Sequence, residues 1–155
     1  APDHAWELGE AVDAPVLGDE SALRQILTNL LANARVHTPA GTRVVVSVLR
    51  SRDEAVAASA APRGPAKGGG SATGAQASSM ITIRVADDGP GIPADIRDRV
   101  FDRFVRGDSS RTRDGRGSSG LGMSIVESLA RAMGGSVRLV DSEKGTVIDV
   151  TLPAA

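Results

Sequence analysis

The chain has 155 residues and a formal net charge of −1, with 41% hydrophobic but only 2% aromatic residues. This length suits one domain, whose core must be built from Leu, Ile, Val and Ala. The near-neutral charge argues against a surface devoted to nucleic acid. The absence of cysteine excludes disulfides and thiolate metal sites, and two distant histidines make a zinc site unexpected. Without an apolar run of about 18 residues or a signal-peptide layout, we expect a soluble, cytosol-compatible domain, whether whole or cut from a longer protein.

Residues 1–18 are expected to hold one edge strand. Asp19 or Ser21 is then predicted to cap a helix that contains the stretch 24–38 and stops at residues 38–41, where proline and glycine cannot continue it. Apolar residues recur in this helix at spacings of three and four, which predicts one buried face. These residues are Leu23, Ile26, Leu27, Leu30, Leu31 and Ala34.

A polar stripe runs beside that buried face. Gln25, Asn29, Asn33 and His37 fall four apart, so the stripe drifts by only about 40° per step around the helix. Asn is a poor helix former, which makes two amides and an imidazole unusual choices for an ordinary surface helix. The stripe is either a solvated flank or a functional row.

The other elements follow from β-branched runs and glycine or proline breaks. We predict strands at 42–49, 80–86, 136–141 and 146–152, a short helix at 94–100, and a last helix ending at Gly134-Gly135. The last helix is predicted to bury Leu121, Ile125, Leu129 and Met133. Residues 53–79 are rich in Ala, Gly, Ser and Pro, which indicates a flexible insertion or, alternatively, a docking segment. The order predicts an α/β fold with helices on one face of a mixed sheet.

Two glycine-rich motifs are candidates for ligand binding. Residues 117–122 precede the last helix, where free N–H groups can bind an anion, although a hinge has the same composition. Asp87 stands at the end of a strand and begins an Asp-x-Gly-x-Gly pattern with Gly89 and Gly91. It is either a turn-forming residue or a carboxylate that accepts a hydrogen bond from a ligand's amino group, with the glycines leaving room for a flat ring.

In this order the motifs resemble those of the ATP-binding catalytic domain of sensor histidine kinases. Residues 29–34 are similar to the N box of that family, 87–91 to the G1 box, 101–104 to the F box and 117–122 to the G2 box, and Gly145-Thr146 resembles its final glycine motif. The resemblance covers essentially the whole chain outside the insertion. It implies one domain over residues 1–155 with the Bergerat fold of DNA gyrase, mismatch-repair and chaperone ATPases. That fold is a two-layer sandwich of a mixed sheet with about three helices on one face.

The resemblance also implies roles for single residues. Asp87 would bind the adenine amino group, Asn33 would ligate Mg²⁺, and His37 would place its ring on the adenine. Residues 105–119 would form a lid over ATP. The complete set implied to bind ATP is Asn29, Asn33, His37, Asp87, Gly89, Gly91, Ile92, Phe104, Gly117, Ser119, Gly120, Leu121, Gly122 and Thr146.

Two positions bear on the chemistry. Related ATPases that hydrolyse ATP carry a Glu one turn before the metal-binding Asn, to activate water. Here that residue is Asn29, which cannot act as a base, so we expect phosphoryl transfer instead of hydrolysis. A basic residue that the family often has three residues after the metal-binding Asn is Val36 here. Positive charge would come from Arg103 and Arg106, or from the lid residues Arg111, Arg113 and Arg116.

The phosphorylated histidine of the family lies on a dimerising helical hairpin, and nothing around His4 resembles that hairpin. We therefore expect Mg-ATP binding without autophosphorylation by this chain. The implied partners are the phosphoacceptor domain of the same kinase, homodimeric in the full-length protein, and a response regulator, with no nucleic acid. The isolated domain is expected to be monomeric and to come from the cytoplasmic side of a membrane-bound bacterial kinase. The alternatives are a serine kinase of the anti-sigma type and, because of Val36, a nucleotide-gated binding module.

Overall fold

A mixed β-sheet forms one layer of the protein in the computed structural model, which describes residues 3–52, 79–105 and 120–155. The strands of the described part are β1 (Ala5–Ala11), β2 (Arg43–Arg52), β3 (Ser79–Asp87), β4 (Ser136–Val140) and β5 (Thr146–Pro153). They lie in the order β1-β2-β3-β5-β4. β1 pairs in parallel with β2 at the sheet edge, and the other pairings are antiparallel.

Helices α1 (Glu20–His37), α2 (Ala94–Arg97) and α3 (Gly122–Ala132) form the second layer. Side chains alternate along β3, so that Ile83 and Val85 face the helices while Thr82 and Arg84 point to the other side of the sheet. The core is made of Ile26, Leu30, Ala34, Val44, Ile83, Val85, Val126, Ala130, Ile148, Val150 and Leu152. The predicted two-layer α/β fold is confirmed. None of the helices in the described ranges is long and apolar enough to cross a membrane.

Helix α1 agrees closely with the prediction. Of its two candidate caps, Asp19 is the one used, because its Oδ2 accepts a hydrogen bond of 2.8 Å from the N–H of Ala22. Ile26, Leu30 and Ala34 are buried, and the three other predicted apolar residues pack against the same core. The helix ends at His37, and Thr38 is its C-cap before Pro39.

The prediction for α3 was wrong at Ile125, which is 39% exposed. The fully buried residues are Val126 and Ala130, while Leu129 and Met133 are partly buried against the core. The predicted row used a constant spacing of four, which drifts around a helix, whereas a core-facing row alternates spacings of three and four.

Element ends differ from the sequence prediction in three places. Helix α2 stops at Arg97, three residues early, and residues 98–100 continue as turns. Strand β2 runs to Arg52 instead of residue 49. Ser79, assigned to the insertion, begins β3, and the rest of that insertion lies outside the described residues.

The sheet face away from the helices carries an ion cluster around one buried carboxylate. The carboxylate of Asp149, whose side chain is fully buried, accepts bonds of 2.7 and 2.9 Å from Arg84 and one of 3.1 Å from Arg138. Burial raises the pKa of Asp149, but the hydrogen bonds from the two guanidinium groups outweigh it and hold the pKa below its ordinary value. The cluster joins β3, β4 and β5.

Candidate functional site

A cavity of about 380 Å³ opens between α1, the start of α3, the α2 segment and the adjoining ends of β3 and β5. It is large enough for a small-molecule ligand. Eight of the residues predicted to bind ATP line it: Asn33, His37, Asp87, Gly91, Ile92, Gly120, Gly122 and Thr146. Four elements and two loop segments, separated by up to 113 positions in the chain, therefore converge on one site.

Asp87 is the half-buried carboxylate of this cavity. Its Oδ1 accepts two backbone hydrogen bonds, from Gly89 at 3.0 Å and from Thr146 at 3.2 Å. Burial raises the pKa of Asp87 above its ordinary value, although these bonds oppose the shift. Oδ2 receives neither of these backbone bonds.

The turn next to Asp87 requires glycine. Gly145 has a φ of +74°, and a Cβ there would overlap the carbonyl oxygen of Asp87. Gly91 has a φ of +77° and packs against Gly145, since a Cβ on Gly91 would lie 3.1 Å from the Gly145 carbonyl oxygen. These close backbone contacts bring Thr146 to the carboxylate, opposite Asp87 in the β3–β5 register.

The polar stripe of α1 divides in two. Asn33 and His37 line the cavity, whereas Asn29 is not among the lining residues. The Oδ1 of Asn29 accepts a hydrogen bond of 3.2 Å from Gln25. Its Nδ2 is buried and has no hydrogen-bond partner within the described residues. That donor suits an acceptor such as a phosphate oxygen.

The F-box segment meets the start of α3 through the backbone. The N–H of Phe104 donates to the carbonyl oxygen of Gly120 at 3.0 Å, and Phe104 has a φ of +64°, which is uncommon for a side chain of this size. Phe104 is 71% exposed and does not line the cavity. Arg103 is also exposed and outside the lining.

The remaining predicted residues lie beside or beyond the cavity. Gly89 donates to Asp87 without lining the cavity, and Leu121 is the N-cap of α3. Arg106, Gly117, Ser119 and the rest of the predicted lid after residue 105 fall outside the described residues.

The apolar lining was not predicted from the sequence. It comprises Leu30, Ala34, Val85, Pro90, Pro93, Ile96, Val100, Val105, Met123 and Ile148, together with the methyl-bearing Thr38. Strand alternation could have identified two of these residues. Val85 lies two positions before Asp87 and Ile148 two after Thr146, so both share the face of the site.

Asn33 fits a role in holding Mg²⁺. Its amide oxygen lies 3.6 Å from the position that a Cβ on Gly122 would take, which is an ordinary van der Waals distance, so glycine leaves that volume open beside a hard oxygen donor. Mg²⁺ prefers oxygen ligands and keeps several waters, taking its remaining contacts from substrate phosphates. The 11-residue helix α3 begins at Gly122, and the positive end of its dipole there favours negative charge.

Comparison with known proteins places these features in a family. Residues 18–155 match the family described as histidine kinase-, DNA gyrase B-, and HSP90-like ATPase. Over 153 residues the chain is 38% identical to the probable sensor histidine kinase TcrY of Mycobacterium tuberculosis, covering 98% of this chain and 26% of TcrY. The chain thus spans about a quarter of the length of that relative.

Solved structures agree with the sequence match. The mycobacterial sensor histidine kinase MprB superposes with a TM-score of 0.71 at 29% identity, covering 98% of this chain and 84% of the MprB chain. Full-length ShkA in complex with AMPPNP superposes with a TM-score of 0.62 at 28% identity, covering 99% of this chain and 26% of ShkA.

Proposed function

This chain belongs to the family of histidine kinase-, DNA gyrase B- and HSP90-like ATPases, and on that premise we propose that it is the catalytic domain of a sensor histidine kinase. In this role it binds Mg-ATP and transfers the γ-phosphoryl group to a histidine on a separate helical domain. The observation that carries the proposal is the convergence of Asp87, Asn33 and the α3 N-terminus on one cavity.

Each part of ATP has a place in this proposal. The adenine lies between the apolar lining and His37, with its amino group donating to Oδ2 of Asp87. The triphosphate points toward Gly120 and Gly122 at the start of α3, where the helix dipole and free N–H groups favour an anion. The orphan Nδ2 of Asn29 can donate to a phosphate oxygen on the same side.

Catalysis in this site is positioning and electrostatic stabilisation. Asn33 would hold Mg²⁺, which when bound neutralises charge on the phosphates. Asn29 carries an amide where a water-activating base would need a carboxylate, so the site orients the γ-phosphoryl group without activating water. Arg103 and Arg106 are proposed to supply positive charge to the transferring group.

The acceptor is proposed to come from a phosphoacceptor domain of the same kinase, which forms a homodimer in the full-length protein. Two exposed apolar side chains near the N-terminus of α3 support docking there: Phe104, whose N–H donates to the carbonyl oxygen of Gly120, and Ile125, in the first turn of α3. A response regulator would accept the phosphoryl group next, and nucleic acid has no role. The proposed location is the cytoplasmic side of a membrane-bound bacterial kinase, and the isolated domain is monomeric.

Titration calorimetry with ATP in the presence and absence of Mg²⁺ tests this proposal on the chain as it stands. We expect ATP binding that strengthens when Mg²⁺ is added and that GTP does not reproduce. GTP carries a carbonyl oxygen where ATP carries the amino group, so it would place an acceptor against the Asp87 carboxylate. Equal binding of ATP and GTP would contradict the assignment of Asp87, and no binding of ATP would contradict the function.

A further inference from the structure

His4 is buried although it precedes the sheet. Its side chain is only 2% exposed. Two backbone bonds fix the chain on either side of it, because Gly41 donates to the carbonyl of Asp3 at 2.7 Å and Ala5 donates to that of Thr42 at 3.0 Å. The imidazole is therefore held against the turn that follows α1.

The imidazole makes one hydrogen bond within the described residues. Its Nε2 lies 2.9 Å from Oγ1 of Thr38. The Thr38 hydroxyl donates its own proton to the carbonyl of Ala34 at 2.6 Å, so it can only accept from His4, and Nε2 must be the donor. The other ring nitrogen, Nδ1, is buried without a hydrogen-bond partner, 3.4 Å from the Asp3 carboxylate.

Thr38 in turn contacts the part of the cavity that is proposed to hold the adenine. It lines the cavity, and its Cγ2 lies so close to Gly89 that a Cβ there would come within 2.8 Å of it. Gly89 donates to Oδ1 of Asp87. A continuous path of contacts therefore runs from His4 through Thr38 and Gly89 to the carboxylate.

We infer that His4 is a positioning residue for recognition of the base. By donating a hydrogen bond to Thr38, it holds the threonine methyl against the Gly89 turn and thereby orients the Asp87 carboxylate. The inference rests on the proposed function, since it takes Asp87 as the acceptor for the adenine amino group. It gives this buried histidine a role in nucleotide selectivity, distinct from phosphoacceptance.

Nucleotide discrimination tests the inference, with Kd measured by calorimetry in Mg²⁺ for ATP and for purine riboside triphosphate, which lacks the 6-amino group. Wild type is expected to prefer ATP. His4→Leu should weaken ATP binding about three- to tenfold, the value of one neutral hydrogen bond, and leave analogue binding unchanged. His4→Gln, whose amide nitrogen can replace Nε2 as donor, should restore the preference.

Thr38→Val removes the acceptor at nearly constant volume and gives the same test if His4→Leu fails to fold. It should lower the preference for ATP, and adding His4→Leu to it should have no further effect. Equal weakening of both ligands, or an unchanged preference in both variants, would overturn the positioning role. Equal affinity of wild type for both ligands would instead overturn the assignment of Asp87 itself and the inference with it.

Discussion

Replacing Asp87 with Asn tests base recognition with the smallest change in shape. Asn retains an Oδ1 that can accept both backbone bonds, from Gly89 and Thr146. The substitution replaces Oδ2 with an NH₂ group, so this amide and the adenine amino group, both hydrogen-bond donors, would face each other without an acceptor. A hydrogen bond to a charged group is worth about 1.5–3 kcal/mol, so ATP affinity should fall about 10- to 150-fold.

Calorimetry of Asp87→Asn with ATP measures this loss, and Asp88→Asn is the matched control. Asp88 is the neighbouring carboxylate, is exposed, accepts from the backbone N–H of Arg43 and does not line the cavity. ATP affinity within twofold of wild type in Asp87→Asn would refute the role of this carboxylate. A similar loss in both variants would indicate a general effect of negative charge instead.

The raised pKa of Asp87 adds a dependence on pH. Burial disfavours the ionised form of Asp87, so ionisation lowers the free energy of unfolding. This loss is absent below the pKa that Asp87 has in the unfolded chain, and it develops as the pH rises through its higher pKa in the folded protein. Asp87→Asn should therefore keep or slightly raise the free energy of unfolding of the free protein at neutral pH. The ATP affinity of wild type should decline in acid as Asp87 becomes protonated, and this decline should begin at a higher pH than for an aspartate with an ordinary pKa. Asp87→Asn should lack the decline.

Three further substitutions probe the metal, the turn and the ion cluster. Asn33→Ala should weaken ATP binding much more in Mg²⁺ than in EDTA, and equal loss in both would indicate a folding role. Gly145→Ala should abolish ATP binding and lower thermal stability, whereas Gly41→Ala, with a φ of +87° but open space around it, should cost only about 1–2 kcal/mol and still bind ATP. Asp149→Asn should lower the free energy of unfolding by about 1.5–3 kcal/mol at pH 7. Because the pKa of Asp149 is depressed, that stabilisation is lost as pH falls through its folded pKa, so denaturant curves of wild type and variant should converge in acid.

Periodicity and box spacing were sufficient to predict the architecture. The apolar row of α1 and the alternation of β3 each place one face against the core, and the order of the elements predicted helices on one face of a mixed sheet, while the two-layer sandwich was implied by the family resemblance. Ile125 was mispredicted because a row defined by a constant spacing of four leaves the buried face of a helix. The end of α2 was mispredicted because a four-residue helix is set by tertiary contacts more than by its own sequence.

Asp87 and Asn33, which the sequence singled out by residue type and spacing, both line the cavity, and their roles stay predictions. The apolar wall of the site was less visible, because Leu30, Val85 and Ile148 belong equally to the core and carry no functional signature. The contact between His4 and Thr38 joins residues 34 positions apart. Such a contact depends on how β1 pairs with β2, which local patterns do not specify.

Transfer of phosphate from ATP to a helical phosphoacceptor domain tests the central claim most directly. The chain is incubated with γ-labelled Mg-ATP and an added phosphoacceptor domain of the sensor histidine kinase class, and labelled protein and free phosphate are both measured. We expect acid-labile, alkali-stable phosphohistidine on the added domain, with negligible release of free phosphate because Asn29 cannot activate water. Rapid release of free phosphate without labelled protein, or acid-stable phosphoserine in place of phosphohistidine, would contradict the account.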